Sequence, residues 1–182
     1  MTLARALADL AVKVAPVDSR VWATAMRAEL EYVPAASGLA FAWGALTTAV
    51  RLRAASPAFV EGVARYGLAA SALVWAGLNI RLALKLGAFE PAPPTPILYA
   101  AALVFAIGGV ATAAAGLRST IRLAVPALAL AALYAAWVTA LAPPSPHRAF
   151  HQALAFEDVV ALLTALLLAV LAKRYVDRQT AS

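Results

Sequence analysis

Cysteine is missing from this chain altogether, and histidine and methionine occur twice each. Without cysteine there can be no disulfide, no thiolate nucleophile and no cysteine-ligated metal. Charge is scarce as well, at 13% of residues, about half the ordinary soluble share of roughly 25%. No segment joins a dense basic run to interleaved aromatics, so the net charge of +6 and the pI of about 10.2 do not point to nucleic acid. Excess Lys and Arg is what the cytoplasmic loops of a membrane protein carry. No alternating segments of about ten residues occur, which argues against a membrane barrel. No nucleophile with a partner base, phosphate-cradling glycine loop or acidic pair inside an apolar run is found. The sequence therefore points to no enzyme class and no cofactor.

What the chain has instead is apolar length. Of its 182 residues 64% are hydrophobic, and the mean hydropathy is +0.82. Four continuous runs, 66–87, 96–116, 123–141 and 155–172, each approach or exceed the roughly 20 residues that a helix needs to cross a hydrocarbon core. Ala and Leu fill most of these positions, which favours helix. The expected fold is an all-α integral membrane protein: a bundle of four transmembrane helices over 66–172, an amphipathic helical arm over 1–33, a short apolar helix over 34–52, and a basic cytoplasmic tail over 173–182. The first 15 residues are broken by Arg5, Asp9 and Lys13, leaving no h-region for a cleaved signal peptide. The first span is expected to act as an uncleaved anchor.

Basic residues set the orientation. Four spans with both ends inside place Arg5, Lys13, Arg20, Arg27, Arg51, Arg53, Arg65, Arg118, Arg122, Lys173, Arg174 and Arg178 on the cytoplasmic side. That is twelve of the fifteen, and it leaves Arg81, Lys85 and Arg148 outside, a bias of the expected sense. The apolar stretch 34–52 is either interfacial or a fifth span; in the latter case the arm lies outside and everything after Arg51 is unchanged. Pro34 suits the first turn of its helix, and about 16 residues between Pro34 and Arg51 are short for a crossing. Proline-rich loops around Pro91, Pro93, Pro94 and Pro96, and around Pro143, Pro144 and Pro146, make sharp turns. The segment 118–122 is expected as a short link closing a helical hairpin.

In the arm, Leu3, Leu7, Leu10 and Val14 follow i, i+4, i+7, i+11, with Arg5, Asp9 and Lys13 opposite at pairing distance along one helix. Pro16 ends that helix, and Asp18 or Ser19 can cap the next. There Trp22, Met26, Leu30 and Val33 form a second stripe. Trp22, Met26 and Leu30 are candidate contacts to the membrane surface, to the bundle or to a partner protein. Four basic and four acidic residues leave the arm neutral, which weakens any attraction to anionic lipid.

The run Trp22-Ala-Thr-Ala-Met26-Arg-Ala-Glu29-Leu30, followed by Phe41-Ala-Trp-Gly44-Ala-Leu and Arg51-Leu-Arg53, resembles a group of uncharacterised bacterial integral membrane proteins. In that group a W-A-x-A-M-x-A-E-L helix precedes a second helix with an F-A-x-G core and several spans. The resemblance covers about the first 55 residues and, in hydropathy only, the rest. It implies a bacterial inner-membrane location and brings no settled activity.

Ionisable groups inside a bilayer are expensive and are functional candidates for that reason. Arg81 and Lys85 lie one turn apart near the outer end of the first span, either snorkelling to the interface or contacting a substrate. Glu157 and Asp158 open the last span. If its helix starts at Pro146, then His147, His151 and Asp158 share one face, a set that could hold metal or move protons, though the spacing fits no zinc signature. An ion pair from Arg81 to Asp158 or Glu157 is the alternative. Gly108, Thr112 and Gly116 recur every four residues, a small-residue strip suited to helix contact within the chain or to a homo-oligomer. Trp75 and Tyr134 lie deep and read as packing. The functional expectation is a small multi-pass inner-membrane protein of accessory or regulatory type with a cytoplasmic C-terminus. The alternatives are a subunit of a small oligomeric transporter or channel and, third, an envelope-modifying enzyme.

Overall fold

The computed structural model of the chain describes residues 2–87, 94–140 and 148–181, and among them every regular element is helical. The helices are α1 (Thr2–Val14), α2 (Arg20–Glu29), α3 (Gly38–Ala55), α4 (Pro57–Gly87), α5 (Pro94–Ala115), α6 (Leu117–Ala140) and α7 (Arg148–Thr180), with one 3-10 turn at Val17–Ser19. The chain forms two compact units, Met1–Val60 and Glu61–Ser182. Four helices, α4 to α7, are long and apolar enough to cross a membrane; α3 is not among them. The protein is an all-α, multi-pass membrane protein.

The first unit packs α1 and α2 against α3, and its contact face differs from the leucine stripe. Ala4, Ala8, Ala11 and Ala15 are buried against Ala42, Ala45, Leu46 and Ala49, while Leu3 is 61% and Leu10 44% exposed. The true stripe runs one residue along the helix from the expected one. Alanine carries only a methyl, so a small-residue face lets backbones approach closely; Leu3 and Leu10 are left outward, while Leu7 packs half-buried at the edge of both clusters. Leu30 is buried with Ala4, Ala8 and Ala42, and Trp22 and Met26 pack half-buried on the cluster around Ala11, Ala45 and Ala49, so the second stripe is used within the unit. Asp9 pairs with Arg27 at 2.5 Å and Arg5 with Glu31 at 4.0 Å. These pairs join α1 to α2 and its following turn, in place of the pairing expected along α1. Neither Asp18 nor Ser19 caps α2 through its side chain: Ser19 is the N-cap residue and makes no such bond.

Element ends also shift. Ser56 is extended (φ −68°, ψ 138°), which stops α3, and Pro57 opens α4 at the position where its missing N–H costs nothing. Helix α4 therefore starts nine residues before the expected span. The segment 118–122 is helical, not a link. The α5–α6 connection is Gly116 alone, at φ +80°, a left-handed conformation that side chains disfavour. Consequently Pro126 lies well inside α6. Helix α7 continues through the expected tail to Thr180.

Within the second unit, successive contacts between α4 and α5 run in opposite directions: Arg65 reaches Ala113, Gly109 meets Ala69, and Trp75 meets Phe105. The core joins Ala76, Ala102, Phe105 and Leu162, packed by Ala72, Ala127 and Ala131.

Candidate functional site

Polar contacts tie the helices of the α4–α7 bundle to one another. At one end, Arg65 of α4 donates through Nε to the Ala113 carbonyl at 3.0 Å and through Nη2 to the carbonyls of Ala113 and Ala114. Its guanidinium also stands 5.3 Å from the centre of the Tyr66 ring. The last carbonyls of α5 have no helical partner, and a cation there complements the helix dipole. Nearby, the buried Thr112 and Thr120 hydroxyls bond each other at 2.8 Å across the Gly116 turn, and Ser119 Oγ donates to the Ala111 carbonyl at 2.9 Å.

Deeper, Trp75 Nε1 of α4 donates to Asp158 Oδ1 of α7 at 2.9 Å. Asn79, one turn along α4 and buried, donates from Nδ2 to the Trp75 carbonyl at 3.0 Å. Tyr134 of α6 shares a hydrogen bond with His151 Nδ1 of α7 at 3.1 Å. Toward the other end, Arg148 donates to the Thr139 carbonyl at 2.5 Å. Among the described residues, no buried side-chain polar atom lacks a partner. Trp75 and Tyr134 are thus hydrogen-bonding groups as well as packing ones. One signal could have found them: an indole N–H deep in a span needs an acceptor, and the carboxylates of α7 supply one.

The expected outer cluster divides. His151 and Asp158 are engaged by different helices, and His147 lies outside the described residues. Arg81 and Lys85 are exposed and form no ion pair with Glu157 or Asp158 among the described residues. The anticipated Arg81–Asp158 bridge is replaced by the indole bond. Among the described residues no three of His, Asp and Glu gather as a metal set. The small-residue strip also divides. Thr112 faces α6, Gly116 makes the turn, and a Cβ at Gly108 would meet nothing within 4 Å. The close approach to α4 falls on Gly109, where a Cβ would lie 3.0 Å from the Ala69 carbonyl oxygen and 3.1 Å from Leu73.

Between α4, α5, α6 and α7 lies a cleft of about 770 Å³. Its walls are mostly aliphatic and aromatic, with Gly108, Pro126 and Ala161 giving it width. Leu130 and Val160 line it and are 67% and 61% exposed, so it opens to the outside of the bundle. Threonine and serine hydroxyls and, among the described residues, a single charged group, Glu157, complete the lining. Volume and chemistry fall within the range of small-molecule sites.

The sequence matches no protein-family model, and neither curated proteins nor solved structures give a match.

Proposed function

We propose that this chain is a multi-pass protein of the bacterial cytoplasmic membrane with an accessory role, and that it holds a membrane-dissolved small molecule in the cleft of its α4–α7 bundle. The cleft is the observation that carries the reading. It is built from all four apolar helices, is largely apolar, and opens to the outside of the bundle through Leu130 and Val160. Orientation follows from charge. Arg65, Arg118, Arg122, Lys173, Arg174 and Arg178 gather at the end of the bundle where α5 meets α6, against Arg81, Lys85 and Arg148 at the other. By the positive-inside rule the first end, with the C-terminus, is cytoplasmic.

A neutral long-chain probe carrying a photoreactive diazirine tests this in membranes. Crosslinks mapped by mass spectrometry should concentrate on cleft-lining peptides. They should fall in Gly108→Phe, which fills space where nothing stands within 4 Å of the new Cβ. Crosslinks spread evenly over all outward apolar residues, and indifferent to Gly108→Phe, would sink the reading.

One observation favours a second reading, a subunit of an oligomeric transporter. Glu157 places an ionisable group on the wall of a cleft among the spans, and such groups mark translocation paths. Flux of a cleft ligand through proteoliposomes would select this reading; binding without flux keeps the accessory one.

A further inference from the structure

Among the described residues, Glu157 is the only charged side chain lining the cleft. It sits nine residues into α7 from Arg148, two residues after the start of the apolar run 155–172, with its side chain exposed on the cleft wall. It makes no ion pair among the described residues, and no Lys or Arg shares the cleft wall. A carboxylate on a largely apolar wall among the spans calls for a compensating positive charge, and the described residues around the cleft supply none. Three aromatic rings share the same lining, Trp75, Phe105 and Phe156. The Asp158 bond fixes the Trp75 indole, whose ring stands 6.1 Å from that of Phe105 at 57°. Aromatic faces attract cations, most strongly where water is excluded.

From this charge complementarity we infer that the cleft binds a free lipophilic organic cation of the quaternary ammonium or phosphonium class. Glu157 is its counter-ion, and Trp75, Phe105 and Phe156 form its aromatic wall. The inference rests on the reading of the cleft as a ligand site and names the class of ligand. A neutral ligand would leave Glu157 uncompensated. A phospholipid amine headgroup would bring its phosphate into a cleft with no basic residue among the described ones.

The test is equilibrium binding of radiolabelled tetraphenylphosphonium to the purified full-length chain in maltoside micelles. Saturable binding of one cation per chain is expected, weakened about tenfold or more by Glu157→Gln and about threefold or more by Phe105→Leu. Excess phosphatidylethanolamine should not displace it. The neutral diazirine probe, labelling Glu157→Gln as it labels the wild type, shows that the variant is folded. If the variant does not fold, the wild type decides: tetraphenylphosphonium should protect Glu157 from a hydrophobic carbodiimide, read at that residue by peptide fragmentation. No saturable cation binding, with the neutral probe still labelling the cleft, overturns the ligand class and leaves the cleft reading standing. Loss of both overturns both. Binding that survives Glu157→Gln in the folded variant, a cation that does not protect Glu157, or displacement by phosphatidylethanolamine, overturns the inference.

Discussion

Trp75 and Asp158, 83 residues apart in sequence, meet at 2.9 Å inside the α4–α7 bundle, indole N–H to carboxylate oxygen. Removing the donor leaves the carboxylate short of its partner, whereas exchanging the carboxylate for an amide keeps an acceptor oxygen in place. Trp75→Phe should therefore destabilise by about 1–3 kcal/mol, and Asp158→Asn by less. Thermal unfolding in detergent, followed by circular dichroism, checks the order. Equal losses in the two variants would mean that the indole bond needs the carboxylate and that an amide oxygen does not replace it.

That joint marks the boundary of what the sequence made legible. The four spans were readable because about 20 apolar residues in a row admit few other readings in a chain so poor in charge. The rotation of each helix about its axis was not, since nearly every face of an Ala/Leu helix is apolar and periodicity gives no phase. Hence Leu3 and Leu10 were read as the inner face of α1 when Ala4, Ala8, Ala11 and Ala15 hold it. For the same reason the strip of Gly108, Thr112 and Gly116 suits either a contact within the chain or a homo-oligomer, and within the chain the close approach to α4 falls on Gly109. Of the candidate site, Glu157 and Asp158 can be picked out as carboxylates opening the last span, but which one faces the cleft and which one binds an indole depends on that phase.

Arg65 engages the last carbonyls of α5 through two different nitrogens, a geometry that a single ammonium cannot reproduce. Arg65→Lys should lose most of the effect and Arg65→Ala all of it, about 1–2 kcal/mol from the lost charged hydrogen bonds and dipole contact. Hydrogen exchange in the last turn of α5 should quicken in both. Exchange unchanged in Arg65→Ala would show that Thr112–Thr120 and the Gly116 turn hold that end unaided.

Neighbouring glycines provide a matched pair. Replacing a helical glycine by alanine gains about 1 kcal/mol in propensity. At Gly108 nothing lies within 4 Å of the new methyl, so Gly108→Ala should be neutral or stabilising. At Gly109 the methyl would lie 3.0 Å from the backbone oxygen of Ala69 and 3.3 Å from the Ala72 methyl, so α4 must move, and overpacking costs about 1–3 kcal/mol. Gly109→Ala should melt lower than wild type while Gly108→Ala does not. The reverse order would place the α4–α5 contact on the other glycine.

The alanine face of α1 can be tested against the leucine face directly, because the two lie one residue apart. Ala11 is 1% exposed and packs with Ala45 and Ala49, whereas Leu10 is 44% exposed. Ala11→Leu inserts three carbons where two backbones are close and should cost about 1–3 kcal/mol or more. Leu10→Ala removes a side chain that makes little of the core, and helix propensity compensates in part, so its cost should stay below about 0.5 kcal/mol. Limited proteolysis in detergent reads this unit separately from the spans: Ala11→Leu should speed cleavage within residues 1–60, and Leu10→Ala should leave it unchanged. If Leu10→Ala opened the unit and Ala11→Leu did not, α1 would be packed on its leucines after all.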